Sequence, residues 1–297
     1  MTTLGIDIGG SSVKAVRVDA DVDADVDADV DGSGGGIGTA TSFRYSSPDR
    51  AELMRAIREC VDALDAGSVQ AVGLCLPGRV NSERSAIETA ANLPALNNWA
   101  FDELFASVFS SPVLNRRVVS DADAAGYDFA TGFPITGRTA AISLGTGVGL
   151  CVLDGERIAT IGDKGIGHLG HMDIGRIGDD DRIDPAGAQN TLESYIGARS
   201  LGSYTDGLNL NLAPLTRGDP PMQALVRALK IVHAIYQPHR IALLGGVGLA
   251  LKSHRGMIAE MVSEGLTPLA DKDWVIEFAS SPFCAARGAA KLAAQSL

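Results

Sequence analysis

An aspartate near the end of an apolar run, followed by two glycines and two serines, has the residue types of a phosphate site. Residues 5–12 read "GIDIGGSS". Gly9 and Gly10 let backbone N–H groups approach phosphate oxygens, and Ser11 and Ser12 add hydroxyl donors. Asp7 supplies the hard oxygen ligand that a hydrated Mg2+ on those phosphates would need. An ordinary tight hairpin uses the same residue types, and the Walker A pattern G-x-x-x-x-G-K-[ST] is absent. The design recurs at residues 143–149, "SLGTGVG", where Gly145, Thr146 and Gly147 form the turn. Two such turns, each opening one half of the chain, suggest two loops clasping one polyphosphate.

Three further clusters carry chemistry. In "VVSDADAAGYDF" Asp121 directly follows an apolar run, where a carboxylate could accept a hydroxyl proton during phosphoryl transfer. A helix N-cap is the competing reading, and Ser120, Asp121 or Asp123 could each serve. In "GIGHLGHMDIG" His168 and His171 lie three apart among glycines and could bind a metal or a polar ligand. No cysteine follows to complete a zinc site, and Asp173 and Asp179 to Asp181 are oxygen donors nearby. Glu193 in "TLESY" is another polar candidate, although a helical glutamate is usually solvated. Finally, "IALLGGVG" is a buried strand ending at Gly245 and Gly246, where an adenine or ribose often lies over backbone.

The elements that must hold these residues follow from periodicity. "TLGIDI" and "VKAVRVD" read as strands, and "IGTATSFRY" as a third. Ser47-Pro48-Asp49 marks a helix start, with Asp49 and Glu52 in capping-box spacing. Leu53, Ile57, Val61 and Leu64 then share one face. "VQAVGLCL" is a buried strand stopped by Pro77-Gly78. "PVLNRRVV" leads as a strand into the helix after Asp121, and "RTAAISLGTGVGLCVLDGERI" reads as a hairpin. Helices are expected at 191–202, 221–237, near 248–264 and at 283–295, with strands at "RIALLGG" and "WVIEFA". The same alternation thus occurs twice, before and after about residue 120, which predicts two α/β domains.

The chain has 297 residues, 45% of them hydrophobic, enough for a sizeable core. Its net charge is −11, of which seven negative charges sit in the repeat where aspartate holds every odd position from 19 to 31, leaving −4 elsewhere. No basic stripe marks a nucleic-acid footprint. Cys60, Cys75, Cys151 and Cys284 are scattered with no C-x-x-C pair, and Cys75 and Cys151, in apolar runs, read as buried reduced thiols. No signal peptide and no membrane-spanning run is visible, so a soluble cytoplasmic protein is expected. The acidic repeat fails as a calcium loop: Asp27, Asp29, Asp31 and Gly32 fit its start, but its twelfth position is Gly38 rather than glutamate. It reads as an inserted hairpin turn at about 19–36.

Taken in order, these motifs resemble the ROK (repressor, open reading frame, kinase) family of sugar kinases, within the sugar kinase/heat-shock cognate/actin superfold. "LGIDIGGSSVK" resembles its phosphate-1 loop, and "SLGTGVG" its phosphate-2 loop. "VGLCLPGRVN" with "AANLPALNNW" resembles the sugar-side P-G-x-V and N-L-x-x-W segments. "VVSDADAAG" is similar to N-D-A-N-A-A, "GHLGHM" to G-E-I-G-H-M, and "LLGGVG" to the adenosine segment. The resemblance implies two actin-like (ribonuclease H-like) α/β domains, 1–120 and 121–282, with an interdomain cleft and the C-terminal helix packed back on the first. It implies ATP and Mg2+ as cofactors, with Asp121 as catalytic base and Asp7 on the metal. Gly9, Gly10, Ser11, Ser12, Lys14, Gly145, Thr146, Gly147, Gly245 and Gly246 would hold the nucleotide. Gly78, Asn92, Ser120, His168, His171 and Glu193 would line the sugar, and family precedent favours a homodimer.

Two departures stand out. The family's substrate glutamate is His168 here, and a neutral imidazole offers one donor and one acceptor where a carboxylate accepts twice. The family's zinc motif C-x-C-G-x-x-G-C is missing; "RIGDDDRIDPAGAQNTLE" holds no cysteine, so no structural zinc is expected and His171 must be oriented by other means. The expected activity is phosphorylation of a hexose or N-acylhexosamine hydroxyl, glucokinase-like, at the 6-position. Neither nucleic acid nor membrane is an expected partner: family repressors carry a helix-turn-helix before the phosphate-1 motif, which here begins at residue 4. The rival expectations are a non-enzymatic sugar-sensing regulator and an actin-like ATPase that activates another enzyme.

Overall fold

The structure is a computed structural model that describes residues 2–19, 37–66, 69–110, 112–132, 137–162, 165–179, 181–206 and 209–295. The acidic hairpin expected at about 19–36 lies, after Asp19, outside the described residues. The chain divides into two units, Met1–Asp128 with Phe283–Leu297, and Phe129–Pro282. The division falls eight residues beyond the expected boundary at 120, because the helix that Asp121 opens belongs for most of its length to the first unit.

The first unit is built on a sheet of β1 (Thr2–Ile8), β2 (Val13–Asp19), β3 (Ile37–Thr41), β4 (Ala71–Leu76) and β7 (Asn115–Ser120), in the order β3-β2-β1-β4-β7. A small ribbon pairs β5 (Arg79–Val80) with β6 (Ile87–Thr89). The hairpin strands β1 to β3 are antiparallel, and β1, β4 and β7 run parallel. Asp49 caps α1 (Arg50–Ala63) by accepting the Glu52 N–H at 2.8 Å, and Leu53, Ile57 and Val61 bury its apolar face. The third strand ends at Thr41, short of the expected Tyr45: Ser42 bonds to Val13 at the head of β2, and Tyr45 N–H donates to Ser11 O in the loop before it. Sequence periodicity did not predict α2 (Phe101–Val108), whose Phe101, Leu104 and Phe105 are buried. α3 (Asp121–Thr131) follows β7 without a break.

The second unit repeats the plan. β8 (Arg138–Leu144), β9 (Val148–Asp154), β10 (Arg157–Ile158), β13 (Arg240–Leu244) and β14 (Val275–Phe278) lie in the order β10-β9-β8-β13-β14. β11 (Thr205–Asp206) and β12 (Asn209–Leu210) form a separate ribbon. α5 (Pro220–Tyr236) buries Met222, Leu225, Val226, Leu229 and Val232, the i, i+3, i+4, i+7 spacing of an amphipathic helix. Two helices differ from expectation. α4 spans only Leu192–Ile196, not 191–202: Gly197 leaves the helix, and the Ala198 N–H donates to Gly145 O at 2.8 Å. The helix expected near 248 begins at Gly245 as α6 (Gly245–Ala250), breaks at a 3-10 turn, and resumes as α7 (Arg255–Glu264).

α8 (Cys284–Ala294) returns to the first unit and packs on β1 and β4. Gly5 and Gly73 are register partners on those strands and leave a bare patch on the sheet. A Cβ on Gly5 would lie 1.8 Å from Ala286 O, and one on Gly73 1.9 Å from Ala289 O. On the opposite side of α8, a Cβ on Gly288 would lie 1.7 Å from Ala124 O of α3. Backbone therefore meets backbone on both sides of a helix made largely of alanine. The buried Asp128 of α3 closes the contact by accepting from Arg287 at 2.7 Å and lying 3.0 Å from Lys291 Nζ.

Candidate active site

The parallel strands of the first unit end together, and their carboxyl ends gather the acidic candidates. Asp7 pairs in register with Cys75, Cys75 with Val119, and Leu76 with Ser120. Ligands of open α/β sheets bind at such strand ends. Ser120 resolves the capping question: its Oγ accepts the Asp123 N–H at 3.0 Å, which makes Ser120 the cap and places Asp121 first in the helix. The Asp121 carboxylate accepts backbone N–H groups at the start of the helix, Ala122 N–H at 2.9 Å and its own.

Asp7 and Asp121 are both half-buried, so each keeps an approachable edge while the surrounding protein excludes most water. Burial, and then the negative charge of Asp7, push the Asp121 carboxyl up to about 7. Burial also raises Asp7, against the opposing pull of Lys14 and a bond from Cys75. Lys14 stands opposite Asp7 across the hairpin, and the Cys75 thiol donates to Asp7 Oδ1 at 3.4 Å. Cys75 itself is fully buried, and desolvation raises its thiol well above the ordinary range. It therefore remains a neutral donor.

The loop Gly9, Gly10, Ser11, Ser12 is pinned from outside. Gly9 N–H donates to Ser12 O at 3.1 Å, the Tyr45 hydroxyl donates to Gly9 O at 2.7 Å, and Tyr45 N–H donates to Ser11 O at 3.0 Å. Val13 N–H donates to Ser42 Oγ at 2.9 Å. Tyr45 and Cys75 had no functional signature in the sequence. Gly78 adopts a positive φ of 102° against Thr89 and Ala90, and Asn92 is half-buried at the start of a loop anchored by the buried Leu93, Leu96 and Trp99.

In the second unit β8 and β13 also end side by side, bringing Gly145, Thr146 and Gly147 near Gly245 and Gly246. A Cβ on Gly245 would lie 2.4 Å from Leu144 O, and its φ is +78°. Glu193 is not a solvated helical glutamate. It is 5% exposed, and its Oε2 accepts the Val148 N–H at 3.1 Å, bracing the strand that leaves the glycine turn. His168 and His171 are exposed, with ring centroids 5.8 Å apart in an edge-to-face arrangement. His168 borders an apolar cavity of about 180 Å3 walled by Ile166, Leu169, Met172 and Ile235. His171 Nδ1 lies 3.5 Å from Oδ2 of Asp184, a residue the sequence reading passed over. Among the described residues no group of three or more His, Cys, Asp or Glu side chains could hold a metal ion, so Asp173, Asp179 and Asp181 form no such cluster with the histidines.

A model of the ROK family matches residues 3–215. The chain belongs to the ROK family. Among solved structures, a ROK family glucokinase from Streptomyces griseus, in complex with glucose and AMPPNP, is 23% identical with a TM-score of 0.69, covering 99% of this chain and 100% of that one. An inorganic polyphosphate/ATP-glucomannokinase from Arthrobacter sp. strain KM is 22% identical with a TM-score of 0.65, covering 100% and 99%. A ROK family transcriptional regulator homologous to the E. coli MLC protein is 16% identical with a TM-score of 0.66, covering 98% of this chain and 78% of that one. No curated protein matches this ROK chain significantly in sequence. The likenesses establish the two-sheet fold of actin-like sugar kinases. No helix among the described residues is long and apolar enough to cross a membrane.

Proposed function

We propose that this ROK protein is a sugar kinase, transferring a phosphoryl group from ATP to a hydroxyl of a hexose or N-acylhexosamine, at the 6-position. The observation that carries the reading is Asp121. It stands at the end of a parallel strand, relieved of capping by Ser120, with a carboxyl raised to about 7. A carboxylate of that basicity is matched to accepting a hydroxyl proton near neutrality. As the hydroxyl oxygen attacks the terminal phosphorus, its proton passes to Asp121 and the nucleoside diphosphate departs.

Asp7 fits a role on Mg2+. Burial raises Asp7, and burial with the charge of Asp7 raises Asp121; a divalent cation held on Asp7 would offset that negative charge. When bound, Mg2+ would neutralise charge on the phosphates. Gly9, Gly10, Ser11, Ser12 and Lys14 are assigned to phosphate oxygens, as are Gly145, Thr146 and Gly147, and Gly245 and Gly246 to the nucleoside. Gly78, Asn92, Ser120, His168, His171 and Glu193 are assigned to the sugar, with Glu193 acting partly through the Val148 backbone.

One observation favours a second reading, a non-catalytic sugar-binding regulator: His168 replaces the glutamate on which ROK sugar recognition is expected to depend. A coupled assay for ADP release, run over a panel of hexoses and N-acylhexosamines with ATP and with polyphosphate as donors, separates the two. Sugar-dependent ADP release supports the kinase. Sugar binding without turnover supports the regulator, and ATP hydrolysis indifferent to every sugar removes both.

A further inference from the structure

Asp184 belongs to none of the motifs that marked the candidate site. It opens the turn Asp184-Pro185-Ala186-Gly187, closed by Gly187 N–H to Asp184 O at 2.9 Å and Asp184 N–H to Ala188 O at 2.9 Å. Its side chain has no exposed surface. Oδ1 accepts the N–H groups of Ala186 and Ala188, each at 2.9 Å, and Oδ2 accepts the Thr191 hydroxyl at 2.9 Å. The remaining capacity of Oδ2 faces His171 Nδ1. Burial raises this carboxyl, but the bonds from Ala188, Thr191, His171 and Ala186 outweigh it, and its pKa falls below the ordinary range. Asp184 is thus an acceptor only. Thr191, which it engages, also caps α4 by accepting the Ser194 N–H at 3.3 Å, and α4 carries Glu193.

We infer that Asp184 is the positioning residue that sets the tautomer of His171. An ionised carboxylate with no hydrogen to give can meet Nδ1 only as N–H, so His171 keeps its proton on Nδ1 and presents Nε2 as a lone pair. The 3.5 Å separation is long for a hydrogen bond, as such contacts often are before ligand binds. Nε2 would then accept a hydrogen from a substrate hydroxyl, selecting a donor group at that point of the sugar. Asp184 also links the two candidate sugar residues of the second unit through one buried turn: His171 directly, and Glu193 by way of Thr191. Asn190 and Tyr195 brace the same turn, with the Tyr195 hydroxyl accepting the Ile177 N–H at 2.9 Å and meeting Asn190 Oδ1 at 3.2 Å. The substrate consequence rests on the kinase reading; the tautomer does not.

The test is 15N NMR of the histidine rings in the full chain, without sugar, for wild type and Asp184→Asn. Asparagine keeps an oxygen for Ala186 and Ala188 but turns an amide N–H toward Nδ1, so the turn should hold while the tautomer inverts. The expected result is Nδ1–H on His171 in the wild type and Nε2–H in the variant. The variant's KM for sugar should rise about tenfold or more, with the KM for ATP within about twofold. A wild-type His171 protonated on Nε2 overturns the inference, and that arm stands even if the variant does not fold. A tautomer unmoved by the substitution, or sugar and ATP KM values rising together, also overturns it. If the wild type phosphorylates no sugar, the kinase reading falls and the ring-nitrogen shifts alone decide the tautomer.

Discussion

The two units share one strand order and hold their functional groups in opposite ways. In the first, Asp7 and Asp121 are desolvated at adjacent strand ends, and both carboxyls are raised. In the second, Asp184 and Glu193 are more completely buried, yet each is met by hydrogen-bond donors, and Asp184 is lowered. The first arrangement is electrostatically unfavourable and must be imposed by packing. Backbone contacts of Gly5 and Gly73 with α8, and of Gly288 with α3, provide that rigidity beneath the strand ends. The second arrangement is locally satisfied and needs no such press. On the proposed roles, the group that takes a proton is kept poorly solvated, whereas the group that orients another is saturated with partners.

The sharpest way to break this contrast is Asp121→Asn. Turnover should fall by about a thousandfold or more, with nucleotide binding retained, because amide nitrogen cannot accept the proton. The same change should stabilise the protein, and the sign follows from the pKa. Asp121 titrates near 7 when folded and near 3.9 in an unfolded chain. The folded state therefore holds the proton more tightly, and this favourable contribution is complete below about pH 4 and lost as pH rises through about 7. The variant, having no charge to form, should exceed the wild type in stability by about 2 kcal/mol above pH 7, a figure reduced for the partial exposure of Asp121. Denaturation at pH 5 and pH 8 checks this, and carboxyl 13C NMR of the free protein should place the midpoint near 7. A midpoint near 4, with kcat/KM flat from pH 5 to 8, would sink the role given to Asp121.

The next largest effect tests the packing side. Gly73→Val would drive a side chain into Ala289 O, where even a Cβ would lie 1.9 Å away. Destabilisation of about 3 kcal/mol or more is expected, read as an early loss of the first unit in urea or by hydrogen exchange on β1 and β4. An equivalent valine at Gly246, whose Cβ would meet nothing within 4 Å, should leave stability nearly unchanged. Equal losses at both positions would show that α8 can shift and that the press is weaker than the contacts imply.

How much of this was legible depended on distance along the chain. The strand-glycine-strand turns, the capped helix after Pro48 and the aspartate after β7 are local patterns, and each stands where periodicity placed it. Gly5 and Gly73 were visible as residues, but their purpose was not, because the helix they admit lies more than two hundred residues away in sequence from both. Glu193 looked like a solvated helical charge because nothing local reveals that Val148 N–H reaches it. α4 is shorter than expected because Gly197 turns out of the helix and Ala198 N–H reaches Gly145 O in the glycine turn, a contact nothing local reveals. Asp184 did have a signal: Asp-Pro-Ala-Gly is a turn whose aspartate accepts backbone N–H two residues on. What the sequence could not supply was the histidine on the carboxylate's other oxygen.

The smallest predicted effect lies where the two kinds of support meet. Tyr45 braces the Gly9–Ser12 loop, proposed to hold phosphate, through a single hydroxyl donated to Gly9 O, and the residue is 7% exposed. Burial raises this phenol, and the charge of Asp7 raises it further, so it stays protonated and remains a donor. Tyr45→Phe keeps the ring and deletes the bond. Gly9 O is then left to water, and a loss of about 1 kcal/mol is expected, appearing as roughly a fivefold rise in the KM for nucleotide. The sugar KM should not move, because the loop's remaining bonds, Tyr45 N–H to Ser11 O and Ser42 Oγ from Val13, are untouched. If nucleotide affinity is unchanged, the loop is held by its glycines and by the strands on either side, and support in the first unit comes from packing alone.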